Sequence, residues 1–190
     1  MLTMMRPALV LFVLLSAIIG VAYPLLVTVV SQALFAGQAN GSIVVMNGRT
    51  VGSTLIGQPF TEAKYFWSRP SATAPEPYNA AASSGSNLGP LNPALLDAVK
   101  TRVEALRAAD PSNASPVPID LVTTSASGLD PEISLAAAYY QSARVAKLRG
   151  MGKNAVDALI DRYAQQRLLG IFGEPRVNVL ALNMALDAVL

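Results

Sequence analysis

The sequence predicts an α+β protein in which a single N-terminal transmembrane helix is followed by one mixed α+β extracytoplasmic domain. Three observations carry that reading. Residues 7–30 contain no charged side chain. Beyond them, apolar residues recur at helical spacing in some stretches and as short β-prone runs in others. Cap, proline and glycine signals divide these stretches into elements of ordinary length. The expected division is 1–36 for the tail and membrane helix and 37–190 for the soluble domain.

A helix of about 24 residues, rising 1.5 Å each, covers the ~30 Å hydrocarbon core of a bilayer. Arg6 precedes the apolar run and the next charge is Arg49. The positive-inside bias therefore leaves the N-terminus in the cytoplasm and the rest of the chain outside, in the periplasm of a cell with an inner membrane. A cleaved secretory signal is the rival reading, with Ser31-Gln32-Ala33 or Gly37-Gln38-Ala39 as a small-x-small site. The apolar run exceeds the roughly 7 to 15 residues of a signal core, which favours a retained anchor in contact with lipid. Within the span, Pro24 removes a backbone donor and predicts a kink. Gly20, with Ala17 and Ser16, offers a small-residue face for helix packing.

After the span, Asn40-Gly41 and Asn47-Gly48 are turn dipeptides, and β-prone runs at 43–46 and 50–56 flank the second, a hairpin signal. Asn40-Gly41-Ser42 and Asn113-Ala114-Ser115 fit the N-glycosylation pattern, but neither is taken as a modification site. Residues 60–93 turn rich in Ser, Ala, Asn, Gly and Pro, with Tyr65-Phe66-Trp67 near the front. An irregular segment of that length is usually functional or mobile, and its aromatic cluster predicts that it packs down. Asn92 then caps a helix with Pro93 at its first position and Leu95, Val99, Val103 and Leu106 on one face, ending at Asp110-Pro111. A proline-rich connector leads to a β-prone run at 119–124. Asp130-Pro131-Glu132 reads as a cap opening a helix that Gly150 ends. Asn154 can cap the next helix, whose apolar face is Val156, Leu159, Ile160 and Tyr163. A turn at Gly173-Glu174-Pro175, a strand-like stretch at 177–180 and a short helix complete the chain.

The chain has no histidine and no cysteine. That excludes Ser-His-Asp and Cys-His nucleophiles, the common zinc sites and disulfides. No metal ligand set and no catalytic residue is predicted. Gly150-Met151-Gly152-Lys153 lacks the spacing of a phosphate-binding P-loop and reads as a turn between helices. No acidic phosphoacceptor motif is present, and no serine is singled out beside Lys64, Lys100, Lys147 or Lys153. A formal net charge of +2 is too small to suggest nucleic acid as a partner.

Seven blocks, in order, carry a resemblance: ANGS at 39–42, LIGQPF at 55–60, YFWSRPSA at 65–72, SGSNL at 84–88, LVTTSASGLDPEIS at 121–134, RVA at 144–146 and VNVLALNMALD at 177–187. With the single N-terminal span, the chain resembles the C subunit of the Kdp potassium-transporting P-type ATPase over nearly its whole length. The resemblance implies a non-catalytic accessory subunit of an inner-membrane complex. A potassium-channel-like pore subunit and a P-type hydrolysing subunit are its implied partners, and they handle potassium and ATP. It further implies a catalytic chaperone that raises ATP affinity, with Gln141 as the glutamine implicated in nucleotide contact. The topology sets Gln141 across the membrane from cytoplasmic ATP, so an indirect route is expected, with no cofactor bound by this chain. In that reading Tyr65, Arg69, Ser71, Ser86, Asn87, Gln141 and Arg144 contact the partner over the extracytoplasmic mouth of the pore. The alternative is a free-standing membrane-tethered enzyme or ligand-binding module.

Overall fold

The structure is a computed structural model that describes residues 2–189; positions 1 and 190, the outermost of the two expected segments, lie outside it. The chain separates into two compact units, Met1–Ile43 and Val44–Leu190.

The first unit is almost wholly helical. Helix α1 (Leu2–Ala17), a π-helical turn (Ile18–Ala22) and α2 (Tyr23–Leu34) run on without a break. Over Met4–Leu34 they make a 31-residue apolar helix whose most apolar 18-residue stretch has a mean hydropathy of 2.6, a candidate membrane span. At 1.5 Å per residue it is roughly 46 Å long, more than a bilayer core requires. The expected disturbance at Tyr23-Pro24 takes the form of the wide turn, where the Tyr23 N–H donates to the Ile18 carbonyl five residues back. Such a turn makes room for a proline ring that would otherwise press on the carbonyl one α-turn earlier. Gly20 lies inside it, and an added Cβ there would meet no atom within 4 Å. This unit by itself thus sets no steric requirement for glycine at position 20. A short helix, α3 (Ala36–Ala39), follows, and Asn40 turns the chain by donating to the Ala36 carbonyl at 2.7 Å.

The second unit opens with the predicted hairpin. Strands β1 (Ile43–Met46) and β2 (Arg49–Ser53) pair around Asn47 and Gly48, whose φ angles of 51° and 74° give the turn that matches strand twist. Helix α4 (Pro93–Ala109) starts as expected, with the Asn92 side chain accepting from the Ala94 N–H at 3.0 Å. Leu106 is buried and Val99 and Val103 pack against the core.

Three expectations are corrected downstream. Residues 119–124 form no strand: Ile119–Leu121 is a 3-10 turn, with the Ile119 carbonyl accepting from Val122 N, Thr123 N and Thr123 Oγ1. Leu121 and Val122 are apolar because they plug the core, not because they pair. Asp130 caps no helix. Its Oδ1 accepts from Glu132 N, and Glu132–Ser134 is strand β3. Ser134 is the cap, accepting from Ala137 N while its own N–H donates to Asp120, and α5 (Leu135–Arg149) begins one residue later. Gly150 closes α5 in the left-handed region, as predicted. Asn154 lies inside α6 (Lys153–Tyr163), which starts from Gly152 without a side-chain cap.

A two-residue strand, β4 (Ala164–Gln165), was not anticipated, and β5 (Arg176–Asn178) is shorter than the predicted 177–180. Asn178 stops it by accepting from Ala181 N, which makes it the cap of α7 (Val179–Asp187). The sheet order is β3-β5-β4, all antiparallel, with Ile133 opposite Val177 and Ala164 opposite Val177. Helices α5, α6 and α7 and this sheet enclose a core of Ile133, Val145, Val156, Ile160, Leu182 and Leu186, and Phe66 from the irregular segment enters it fully buried.

Leu182 has no exposed surface, and truncating such a leucine costs its transfer energy and leaves a cavity, about 2–5 kcal/mol in all. Leu182→Ala is expected to lower the stability of the full chain by that amount in denaturant unfolding followed by Trp67 fluorescence.

Candidate functional site

Between Ile56 and Asn92 the chain has no regular element except a 3-10 turn at Ala80–Ala82, yet it packs down as its aromatics predicted. An extended backbone inside a protein must find partners for its N–H and C=O groups. Here two helices supply them through amide side chains. Asn183 on α7 accepts from Phe66 N at 2.9 Å and donates to Phe66 O at 3.0 Å. Gln141 on α5 accepts from Trp67 N at 2.8 Å and donates to Trp67 O at 3.2 Å. Each amide reproduces the paired bonds that a neighbouring strand would offer.

Arg144, one turn beyond Gln141, completes the grip. Its Nη1 donates to the carbonyls of Ala63 and Tyr65, its Nη2 donates to Gln141 Oε1 at 2.7 Å, and its guanidinium stacks 4.5 Å from the centre of the Trp67 ring. Burial lowers its pKa to about 10, partly opposed by the negative charge of Asp110. It therefore stays charged at neutral pH, held by carbonyl dipoles and a ring face. At the end of α5, Arg149 donates from Nε to Lys64 O, pairs with Asp187 at 2.8 Å and stacks 4.7 Å from the Tyr65 ring. Tyr65 in turn donates to Asp187 at 3.0 Å.

Farther along, Arg69 pairs with Asp130 at 3.0 Å and donates to Thr124 O, binding the segment to the 122–130 loop. Ser71 is a hub: its hydroxyl donates to Gly128 O at 2.7 Å and accepts from Tyr78 N at 3.0 Å. Gly128 has φ +69°, and a Cβ there would stand 2.6 Å from Ser84 O, so only glycine lets the two loops meet. The Tyr78 hydroxyl donates to Arg69 O, and burial pushes its pKa up to about 12.

The structure thus brings the predicted site residues together in two roles. Ser86 and Asn87 are exposed, and Tyr65, Arg69 and Ser71 are half-buried on the same segment. Gln141 and Arg144, expected on a contact face, are instead 1% and 4% exposed. Their polar atoms are turned inward and taken up by the segment, so in this conformation they offer no surface to a partner or a nucleotide. Asn183 was missed. Its signal in the sequence was an asparagine within a helix otherwise made, apart from its last residue Asp187, of Val, Leu, Ala and Met. Among the described residues no group of acidic side chains is placed to hold a metal ion.

The sequence profile described as "KdpC: K+-transporting ATPase, c chain" matches residues 5–188. The chain is 69% identical to a protein of Variovorax paradoxus over 183 residues, covering 96% of this chain and 95% of that one. It is 63% identical to a protein of Methylibium petroleiphilum, with 97% of both chains covered, and 63% identical to one of Janthinobacterium, with 96% of both covered. All three carry the name potassium-transporting ATPase KdpC subunit.

Two measurements probe the grip. Asn183→Leu leaves the buried N–H and C=O of Phe66 without partners, so it is expected to cost about 2–5 kcal/mol and to open the 60–70 stretch to protease. Tyr78 binds its proton more tightly folded (about 12) than unfolded (about 10). Its contribution is therefore present below pH 10 and lost as pH rises from 10 to 12. Arg144 acts in the opposite sense over that range, so the comparison with Tyr78→Phe isolates the tyrosine: the variant should lose less stability than the parent between pH 10 and 12.

Proposed function

The chain belongs to the KdpC family, the c chain of K+-transporting ATPases, and from that premise we propose that it is an accessory subunit, without a catalytic centre of its own, of an ATP-driven potassium uptake complex in the inner membrane. The match over residues 5–188 is the observation that carries this reading. A potassium-channel-like pore subunit and a P-type hydrolysing subunit are its partners; they handle potassium and ATP. The N-terminal helix anchors it, with the N-terminus cytoplasmic and the folded domain outside, following the position of Arg6.

Its contribution is that of a catalytic chaperone acting at a distance. A subunit that docks better on one state of its partner shifts that partner's equilibrium by the difference in docking energy. A preformed docking surface makes the difference larger, since little ordering entropy is lost on contact. The inward grip of Gln141, Arg144 and Asn183 on residues 63–67 supports such a surface. In this scheme Tyr65, Arg69, Ser71, Ser86 and Asn87 are the contacts, and Gln141 and Arg144 are positioning residues that hold the segment in shape.

The test is to purify the tagged full chain with its partners and assay potassium-stimulated ATP hydrolysis. Gln141→Ala is expected to leave the complex assembled and to raise the KM for ATP severalfold. Unchanged kinetics would remove Gln141 from the scheme, and recovery of the chain alone would remove the subunit reading. In right-side-out vesicles, external protease should digest the folded domain and ATP should not cross-link to it; the reverse result would overturn the orientation.

A further inference from the structure

Residues 58–78 arch over α4 and enclose a cavity of about 340 Å³ that opens to solvent. Its walls are Pro59, Phe60, Trp67, Tyr78, Leu106 and Leu121. A volume of this size lies within the range that takes small organic ligands, about 300–1,000 Å³. Two guanidinium groups also line it, those of Arg69 and Arg102. Arg69 has its carboxylate partner in Asp130, though its Nε is buried with no partner.

Arg102 is different. It is half-buried, it donates to the Val122 carbonyl at 2.8 Å, and among the described residues no carboxylate pairs with it. Burial lowers its pKa, the sign of a cation held away from water without a counter-charge. Such a group gains most from an anion that shares its partly desolvated site. One free guanidinium in apolar walls suits a planar single negative charge.

We propose that this cavity binds a small organic carboxylate, its aromatic or branched apolar body against Phe60, Trp67 and Leu106 and its carboxylate paired with Arg102. Burial of the body supplies affinity, and the ion pair selects acids over neutral molecules of the same shape. The site does not depend on the subunit reading, since it is built wholly from residues of this chain.

Trp67 is the only tryptophan in the sequence and lies in the cavity wall, so its fluorescence reports occupancy. The full chain in lipid nanodiscs would be titrated with 3-phenylpropionate and with the neutral 3-phenylpropanol. The acid should give a saturable change, and the alcohol should bind about tenfold or more weakly, the loss of one charged hydrogen-bonded pair. Arg102→Gln, which keeps a donor for Val122 O, should weaken the acid by a similar factor at an unchanged unfolding midpoint. Ala105→Phe, which fills the cavity and spares Arg102, should abolish the response. No saturable change, an equal response to acid and alcohol, or undiminished binding by Arg102→Gln would overturn the proposal. A Trp67 response that appears only on assembly with the other subunits would mean that a partner segment fills the cavity, and the proposal would fall.

Discussion

The folded domain depends on how it satisfies the backbone of residues 63–67. This stretch drives Phe66 into the core, and an apolar side chain cannot enter without carrying its polar main chain part of the way. Leaving even one N–H or C=O unpaired there costs about 1–3 kcal/mol, as much as a core residue's burial returns. Asn183, Gln141 and Arg144 remove that cost by meeting the Phe66, Trp67, Tyr65 and Ala63 groups from α5 and α7. Helices thus serve as the neighbour that a strand would have been.

The same solution accounts for polar residues in unlikely places. Gln141, Ser142, Arg144 and Asn183 are all buried on helices that otherwise face the core. A buried polar network is favourable only when its members are satisfied, and this one closes: Arg144 reaches Gln141, Gln141 reaches Trp67, and the Trp67 ring lies under Arg144. Because the network joins α5 to the long irregular segment, the surface of that segment is fixed by the helix behind it. A surface built in this way differs from a loop that is ordered only on binding. The cavity beside Arg102 lies under the same segment, which is fastened at 63–67, at Arg69 and at Ser71.

Local signals were legible where the competing conformations differ in local energy. The hairpin turn at Asn47-Gly48, the Asn92-Pro93 start of α4 and the Gly150 stop of α5 are decided by φ preference and capping within a few residues. Two of the misreadings share one cause. Asp130-Pro131-Glu132 has the composition of a helix start, but β3 gains ladder bonds to β5 from forty-odd residues downstream in sequence, and the Asp130 carboxylate serves Arg69 instead. Residues 119–124 have strand composition, but they meet β3 through the Asp120 carboxylate, which accepts from Ser134 N, and not by ladder bonds. Asn154 differs from these two: α6 starts two residues before it would with Asn154 as cap, from the extended backbone of Gly152 and with no side-chain cap.

The sequence by itself determined the apolar helix, the α+β class, the irregular segment that packs down and, through its ordered blocks, the family to which the chain belongs. These are properties of composition, short-range periodicity and local backbone preference, and they do not need the fold to be known. Only the tertiary structure decided which polar side chains face inward. Gln141 and Arg144 look like solvent-facing positions of a helix in sequence, and Asn183 looks like an interruption of an apolar one. Their roles are set by the unpaired backbone of residues 63–67, more than seventy positions away in the chain, because a hydrogen bond of that range is specified by packing and leaves no periodic trace in either segment.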